Sequence, residues 1–194
     1  AFYREAPNAQ IEVIDLKEKS LLNQSTQDID LVLCSQVMQV PDTFHRLSVG
    51  YESSYCFMAK NHPLATGKFT LDDYLKYPHI VTTLGGGPNF PIETTLSKLN
   101  KVRKVGLRAP HYLAALEVLR RTQMLFSSSP LVPDRFRQQF SITSRPLPFN
   151  HDTLQYALVW PPTVNKDPAQ QWFRKLCGDI IKQNLNRKST EIEL

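Results

Sequence analysis

One stretch, residues 54–64, limits the possible architecture of this chain more than any other. From Tyr55 to Lys60 apolar side chains occupy both sets of alternate positions, the pattern of a strand buried on both faces. Asn61-His-Pro63 then ends the strand, because proline has no amide hydrogen to donate and restricts the residue before it. Since α/β segments precede and follow this strand, we predict that the chain passes there from one lobe to another.

The rest of the chain alternates between strand and helix patterns, which is typical of an α/β fold. Asp167-Pro168 is a strong helix start, and the apolar stripe that follows it predicts a long packed helix with a frayed tail from Asn186. The predicted strands are 11–16, 28–34, 79–83, 102–107, 124–126 and 155–160. The predicted helices are 2–5, 17–27, 70–76, 92–101, 112–121, 134–140 and the segment from 168.

Composition narrows the class of protein. A hydrophobic content of 41% supplies one good core or two modest ones, and no stretch is long and apolar enough for a membrane span. The net charge is +5, but the basic residues are scattered, so charge alone does not predict nucleic-acid binding. Without a signal peptide pattern at its start, the chain is expected to be cytoplasmic. Cys34, Cys56 and Cys177 lie in apolar runs and are expected to be buried free thiols in a reducing compartment.

The sequence holds no recognisable catalytic or metal-binding constellation. The five histidines lack ligand spacing, and neither a Gly-x-Ser-x-Gly nucleophile motif nor a Walker loop is present. We therefore expect no enzyme activity, no metal and no cofactor. The loop Gly85-Gly86-Gly87 has two interpretations of equal weight, a cradle of backbone N–H groups for an anion and a flexible connector.

Three strand-to-helix turns indicate a ligand site. In open α/β sheets such turns meet at the carboxyl ends of the strands, where ligands bind. They are Thr82-Thr-Leu-Gly85, Ala109-Pro-His-Tyr112 and Phe126-Ser-Ser128. His111 either makes a local hydrogen bond at a helix start or donates to a ligand carboxylate, and its neighbours Pro110 and Tyr112 favour the ligand. Trp160, by contrast, is expected to pack in the core or hinge.

The order of the segments resembles the C-terminal effector-binding domain of LysR-type transcriptional regulators, in particular the nodulation and aromatic-degradation subgroup. The likeness extends over nearly the whole chain, to about residue 183. The segments that carry it are Glu5-Ala-Pro-Asn8, 11–16, Asp28-Ile-Asp-Leu-Val-Leu33, Lys60-Asn-His-Pro-Leu64, 69–79, Ala109-Pro-His-Tyr112, 160–174 and Asn165-Lys-Asp-Pro-Ala169.

This resemblance implies two Rossmann-like lobes joined by two crossover strands, 55–60 and 155–160, as in type II periplasmic binding proteins. Lobe I would comprise residues 1–58 and 157–194, and lobe II residues 59–156. The family's first strand and most of its first helix are expected before Phe2 and are missing from the sequence. The residues that match the family's effector-binding positions are Cys34, Ser35, Thr82, Thr83, Gly85, Gly86, Gly87, His111, Tyr112, Phe126 and Ser127.

The resemblance also implies partners. A small effector, with an aromatic carboxylate as the leading candidate, would bind between the lobes, and the domain would form a homodimer or homotetramer. DNA would be bound only through an N-terminal winged helix-turn-helix that this sequence lacks, and no membrane is involved. Two alternatives are a stand-alone solute-binding protein of the same fold and an α/β enzyme. The missing signal peptide and free cysteines disfavour the first, and the absent base–nucleophile pair disfavours the second.

Overall fold

A computed structural model of the chain describes residues 2–15, 22, 29–36, 38–82 and 91–191, with side chains to residue 185. The chain forms two compact units. Unit 1 comprises Ala1–Gly50 and Tyr156–Leu194, and unit 2 comprises Tyr51–Gln155. The lobe boundaries predicted at residues 58/59 and 156/157 stay a prediction.

Strands and helices alternate along most of the described chain. The strands are β1 (Val32–Ser35), β2 (His45–Glu52), β3 (Tyr55–Ala59), β4 (His79–Thr82), β5 (Val105–Ala109), β6 (Leu125–Ser128), β7 (Ile142–Pro146) and β8 (Leu154–Trp160). The α-helices are α1 (Phe2–Glu5), α2 (Leu71–Lys76), α3 (Pro91–Lys98), α4 (Tyr112–Leu119) and α5 (Pro168–Glu191), and Pro133–Phe136 and Pro162–Val164 are short 3₁₀ turns.

Unit 2 is built on a five-stranded sheet in the order β5-β4-β6-β3-β7. The strand β4 runs parallel to β5 and β6, whereas β3 runs antiparallel to its neighbours β6 and β7. One face packs against α2 and α3 through a cluster that includes Cys56 and Met58, and the other packs against α4 through a cluster that includes Phe57. The successive side chains of β3 therefore enter two different cores.

The helix α2 has a complete capping box, which explains its sharp start. Thr70 Oγ1 accepts from the Asp73 backbone N–H (3.2 Å), and the Asp73 carboxylate accepts from the Thr70 N–H (3.0 Å). The Thr70 hydroxyl also donates to the Asp73 carboxylate (2.6 Å), and this bond, together with that from the Thr70 N–H, lowers the pKa of Asp73. Both orphan amide groups at the helix start are thus satisfied, as the sequence pattern predicts.

A buried polar network lies on the α2–α3 face. Arg103 is only 6% exposed and forms an ion pair with Glu93, in the first turn of α3. Arg103 Nη1 also donates to the Tyr74 hydroxyl (3.3 Å), and burial raises the pKa of Tyr74 to about 12. A buried guanidinium is tolerated only with such partners, because an unpaired buried charge costs several kcal/mol, about 3–5 by order of magnitude. The network therefore joins α2, α3 and the segment before β5.

Unit 1 contains a smaller sheet in the order β1-β8-β2, in which β1 and β8 are antiparallel. Val32, Cys34, Ala157 and Val159 form its core. Gly50 in β2 adopts φ = +148°, and a Cβ built there would lie 2.5 Å from Leu185 of α5. Only glycine tolerates both that backbone conformation and that close approach.

Trp160 at the end of β8 packs inside unit 1, as expected. The guanidinium carbon of Arg174 in α5 lies 4.6 Å from a ring centroid of the Trp160 indole. Arg174 also donates to the backbone oxygens of Val164 and Asn165 (3.1 and 2.9 Å). His45 stacks on Trp160 with ring centroids 5.8 Å apart. The cation–π contact and the hydrogen bonds fix the start of α5 to the end of β8.

Several sequence-based predictions need correction. Residues 11–15 form no strand, and Val13 is 89% exposed, because no described strand pairs with this segment. The strand predicted as the first crossing forms as β3, and the first division between the compact units falls at Gly50–Tyr51 within β2, so the position of this crossing stays a prediction. The strand predicted as the second crossing forms as β8, and the second division between the units falls at Gln155–Tyr156 within it. The strand β7 was not predicted.

Helix boundaries differ by a few residues from the predicted ones. The final helix continues to Glu191, past the predicted fraying point at Asn186. The helix predicted over 134–140 is a 3₁₀ turn at Pro133–Phe136. Apart from Leu22, the predicted helix 17–27 lies outside the described residues, so that prediction stays open. No described helix is both long and apolar enough to cross a lipid bilayer.

His79 gives the stability of unit 2 a dependence on pH. Its side chain is fully buried, Nε2 donates to the backbone oxygen of Tyr74 (2.9 Å), and Nδ1 has no hydrogen-bond partner among the described residues. Burial, and to a smaller extent the charge of Arg103, lowers the pKa of His79 to about 4. An unfolded histidine has a pKa near 6.5, so the folded state binds fewer protons from about pH 6.5 to 4. This contribution to stability is fully present above pH of about 6.5 and falls as the pH drops toward 4.

We predict that His79→Gln removes most of this pH dependence, because the glutamine amide is a neutral donor to Tyr74 and binds no proton. The free energy of unfolding, measured in urea between about pH 6.5 and 4, should lose a slope of up to about 1.4 kcal/mol per pH unit. His45→Gln, at an exposed position in unit 1, is the matched control and should keep the slope. Burial also lowers the pKa of His62, so His62 adds a smaller slope of its own, which should remain after His79→Gln. An unchanged slope in His79→Gln would contradict this assignment.

Candidate functional site

The carboxyl ends of the parallel strands β4, β5 and β6 meet at one edge of the unit 2 sheet. Thr82 and Ala109 are register partners at the ends of β4 and β5, and Ser128 ends β6. The antiparallel strand β3 begins at the same edge, because Tyr55 pairs with Ser128. This edge is where ligands bind in open α/β sheets.

A group of polar side chains lies at this edge. We call Glu52, Tyr112, Ser128 and Ser129 the edge group, and Thr82 ends the neighbouring strand β4 beside them. Ser128 Oγ donates to the Tyr112 hydroxyl (3.1 Å), and Ser129 Oγ donates to the Glu52 carboxylate. The two serine hydroxyls are mostly buried and are held in place by these bonds.

The Tyr112 hydroxyl is neutral at physiological pH. Burial raises its pKa and the charge of Glu52 raises it further, whereas the hydrogen bond from Ser128 lowers it. Because its oxygen accepts from Ser128, the phenolic hydrogen is available as a donor. The ring packs against Phe126 at a centroid distance of 5.8 Å in edge-to-face geometry, which fixes the direction of the hydroxyl.

His111 begins α4 and is exposed, and its side chain does not cap the helix. The first amide groups of a helix without a side-chain cap are available to an anion, and the helix dipole favours negative charge there. The edge thus offers a carboxylate, hydroxyls and a helix start. Such an arrangement suits a ligand that carries both hydroxyl groups and a carboxylate.

Two predicted site residues, Phe126 and Ser127, point to opposite faces of the sheet. Phe126 is 1% exposed and belongs to the core beneath α4. Ser127 Oγ lies 2.8 Å from the Tyr74 hydroxyl on the α2–α3 face, and it also hydrogen-bonds to Cys56. Side chains alternate across a strand, so the hydroxyl that shares the Tyr112 side of β6 is that of Ser128.

The remaining predicted positions are divided between the units. Thr82 is buried at the end of β4, while Cys34 is buried in the unit 1 core, where desolvation raises the pKa of its thiol. Ser35 ends β1, and its backbone oxygen accepts from Met38 N (3.1 Å). Thr83, Gly85, Gly86 and Gly87 lie outside the described residues. As a set of effector contacts, all these positions stay a prediction.

Glu52 and Ser129 were not predicted from the sequence, and Ser128 lies in a predicted ligand turn but not among the predicted effector-binding residues. Ser128 had a usable signal, because alternation from the buried Phe126 places Ser128 on its side and Ser127 on the other. Glu52 had none, since it is distant in sequence from the turns and joins them only through the sheet. Among the described residues, no group of three or more His, Cys, Asp or Glu side chains is arranged to hold a metal ion.

Comparison with known proteins identifies the family. The model of the LysR substrate binding domain matches residues 1–181. The chain belongs to the LysR substrate-binding domain family. It is 24% identical over 179 residues to the HTH-type transcriptional activator NahR of Pseudomonas putida, and the match covers 91% of this chain and 59% of NahR. The chain thus spans less than two thirds of that relative.

Solved structures of this family support the fold. The regulatory domain of MexT, a transcriptional activator in Pseudomonas aeruginosa, has a TM-score of 0.79 at 21% identity and covers 91% of this chain and 87% of its own. The effector-binding domain of QuiR in complex with shikimate has a TM-score of 0.67 at 16% identity and covers 89% and 79%. The predicted two-lobed, periplasmic-binding-protein-like fold and LysR family membership are confirmed.

We predict that Tyr112→Phe in this LysR substrate-binding domain lowers the free energy of unfolding by about 1 kcal/mol, because the mostly buried Ser128 hydroxyl loses its acceptor. Urea unfolding would measure the change. Tyr51→Phe is the matched control, since Tyr51 is 63% exposed and its variant should unfold like the parent. Equal stability of Tyr112→Phe and the parent would show that this hydrogen bond contributes nothing.

Proposed function

We propose that this effector-binding domain of a LysR-type regulator recognises a small ring compound that carries a carboxylate and at least one hydroxyl group. The observation that carries the proposal is the edge group, in which the Glu52 carboxylate and the Tyr112, Ser128 and Ser129 hydroxyls converge at the carboxyl ends of the unit 2 strands. We assign no catalytic role to these residues.

The charges of the site residues indicate which part of the ligand each of them would contact. The carboxylate of Glu52 repels an anion and accepts hydrogen bonds, so the ligand hydroxyl would face Glu52 and Ser129. The ligand carboxylate would face the start of α4 and His111, where amide groups and the helix dipole favour negative charge. Tyr112 would donate to the ligand from beneath. Hydroxylated aromatic acids and shikimate, the compound bound by QuiR, both have this chemistry.

Ligand binding is proposed to act on transcription through other parts of the whole protein. An effector changes a regulator only if it binds two arrangements with different affinity. The domain would assemble as a homodimer or homotetramer, and DNA would be contacted only through a further domain that is not part of this sequence. Light scattering on the domain with and without ligand would test the assembly, and a monomer under both conditions would contradict it.

A panel of benzoate, the three hydroxybenzoates and shikimate tests the ligand class by thermal shift. A ligand that binds only the folded state adds about 2.7 kcal/mol of stability at a concentration of 100 Kd. We expect at least one hydroxylated acid to raise the melting temperature more than benzoate. No shift with any of the five compounds, at concentrations that approach their solubility limits, would overturn the proposed ligand class.

Two variants assign the contacts. Glu52→Gln should reduce the preference for the hydroxylated acid over benzoate, because the amide is a weaker acceptor than a carboxylate. His111→Ala should weaken binding of both acids without unfolding the domain. The control is His45→Ala, an exposed histidine in unit 1, which should bind like the parent. Unchanged affinity in His111→Ala would remove His111 from the site, and an unchanged preference in Glu52→Gln would remove Glu52.

A further inference from the structure

A concavity lies in unit 2, apart from the edge group. Its volume is about 390 Å³, within the range of small-molecule pockets, which begins at about 300 Å³. Two chain segments line it, the turn between β2 and β3 and the connection between β7 and β8. The lining residues are Ser53, Ser54, Tyr55, Pro146, Leu147, Phe149, Asn150 and His151.

Leu147 and Phe149 form an apolar part of the pocket lining. Leu147 is buried and belongs, with the partly buried Phe149, to the cluster beneath α2 and α3. The Phe149 ring packs edge-to-face against Tyr74 at 5.3 Å and against His151 at 6.3 Å. Three rings in contact hold their orientation, so the pocket presents preformed aromatic surface to a ligand.

His151 supplies a defined polar group. The backbone N–H of Ser54 donates to His151 Nε2 (2.9 Å). A nitrogen that accepts carries no proton, so the neutral imidazole has its hydrogen on Nδ1, which is therefore a donor. Asn150 and Ser53 are exposed at the rim and add an amide and a hydroxyl. Among the described residues that line the pocket there is no lysine, arginine or carboxylate, so this lining is uncharged.

We propose that this pocket is a second ligand site, selective for an uncharged single-ring aromatic compound that carries a hydrogen-bond acceptor. The ring would pack on Phe149 and Tyr55, and its acceptor would face His151. A carboxylate ligand is disfavoured because none of the described lining residues is a lysine or arginine that would offset the desolvation of its charge. The inference goes beyond the proposed function and does not depend on it, since no residue of the edge group lines the pocket.

The position of the pocket gives a ligand there a structural effect. Ser54 follows β2 and His151 precedes β8, and the two residues are 97 positions apart in the chain. These segments flank the two strands in which the chain passes between the units. A bound ring that touches both segments would stabilise the Ser54–His151 hydrogen bond that joins them.

The test is titration of the whole 194-residue chain with benzamide, an uncharged probe, and with benzoate, its charged counterpart. Binding is followed by calorimetry and by the ¹³C-labelled histidine ring signals, with His151 assigned from the His151→Gln spectrum. We expect saturable benzamide binding that shifts the His151 signal, and benzoate binding weaker by at least about tenfold. No saturable benzamide binding, or benzoate binding as tight as benzamide, would overturn the proposal.

Filling the pocket provides the decisive comparison. Asn150→Trp places a large ring at the exposed rim and removes no hydrogen bond that holds the fold, so benzamide affinity should fall by at least about tenfold. Val102→Trp is the matched control, because Val102 is 90% exposed and lies outside both sites. Its affinity should equal that of the parent. Benzamide binding that survives in Asn150→Trp, or a shift of other histidine signals without His151, would show that the ring binds elsewhere.

Discussion

The burial of β3 on both faces is the constraint on which the rest of unit 2 depends. Cys56, Phe57 and Met58 have no exposed surface, and β6 and β7 satisfy the backbone of β3 on its two sides. Alternate side chains of β3 therefore belong to two cores, one under α2 and α3 and one under α4. Truncating a buried residue of β3 would leave a cavity in a core that helices cover, at a cost of about 2–5 kcal/mol.

The two faces of this sheet have different chemistry. On the α2–α3 face, Tyr74, Arg103 and Ser127 form a polar network sealed inside the protein, which fixes the helices relative to the strands. On the other face, Tyr112 and Ser128 lie at the rim, where their hydroxyls point to the edge of the sheet. A buried network whose polar groups all bond to one another fixes the packing of the helices on the sheet. Hydroxyls at a strand end, by contrast, remain available to bind a ligand.

The two candidate sites of unit 2 are correspondingly distinct. The edge group is polar and contains a carboxylate, so it suits a ligand with hydroxyl groups. The pocket around Phe149 and His151 is aromatic and uncharged, so it suits a neutral ring. Both sites lie next to strand ends, and the beginning of β3 separates them. Tyr55 of β3 pairs with Ser128 on the side of the edge group and with Pro146 on the side of the pocket.

Local sequence determined the elements and the family. Alternation identified β3 and β8, Thr70 with Asp73 identified the start of α2, and the order of motifs identified a LysR effector-binding domain. These signals come from neighbouring residues in the chain, so they can be recognised without knowledge of the fold. The same reasoning failed for residues 11–15, whose strand pattern has no described partner, since a strand exists only through pairing.

Only the tertiary structure decided which residues meet. Glu52 joins Ser129, and Ser54 joins His151 across 97 positions, through contacts that no spacing in the sequence indicates. It also places the Ser127 side chain beside Tyr74, on the face of the sheet opposite Tyr112. The physical reason is that a sequence pattern states what a residue prefers to bury, whereas strand pairing and the side-chain alternation it fixes determine its neighbours.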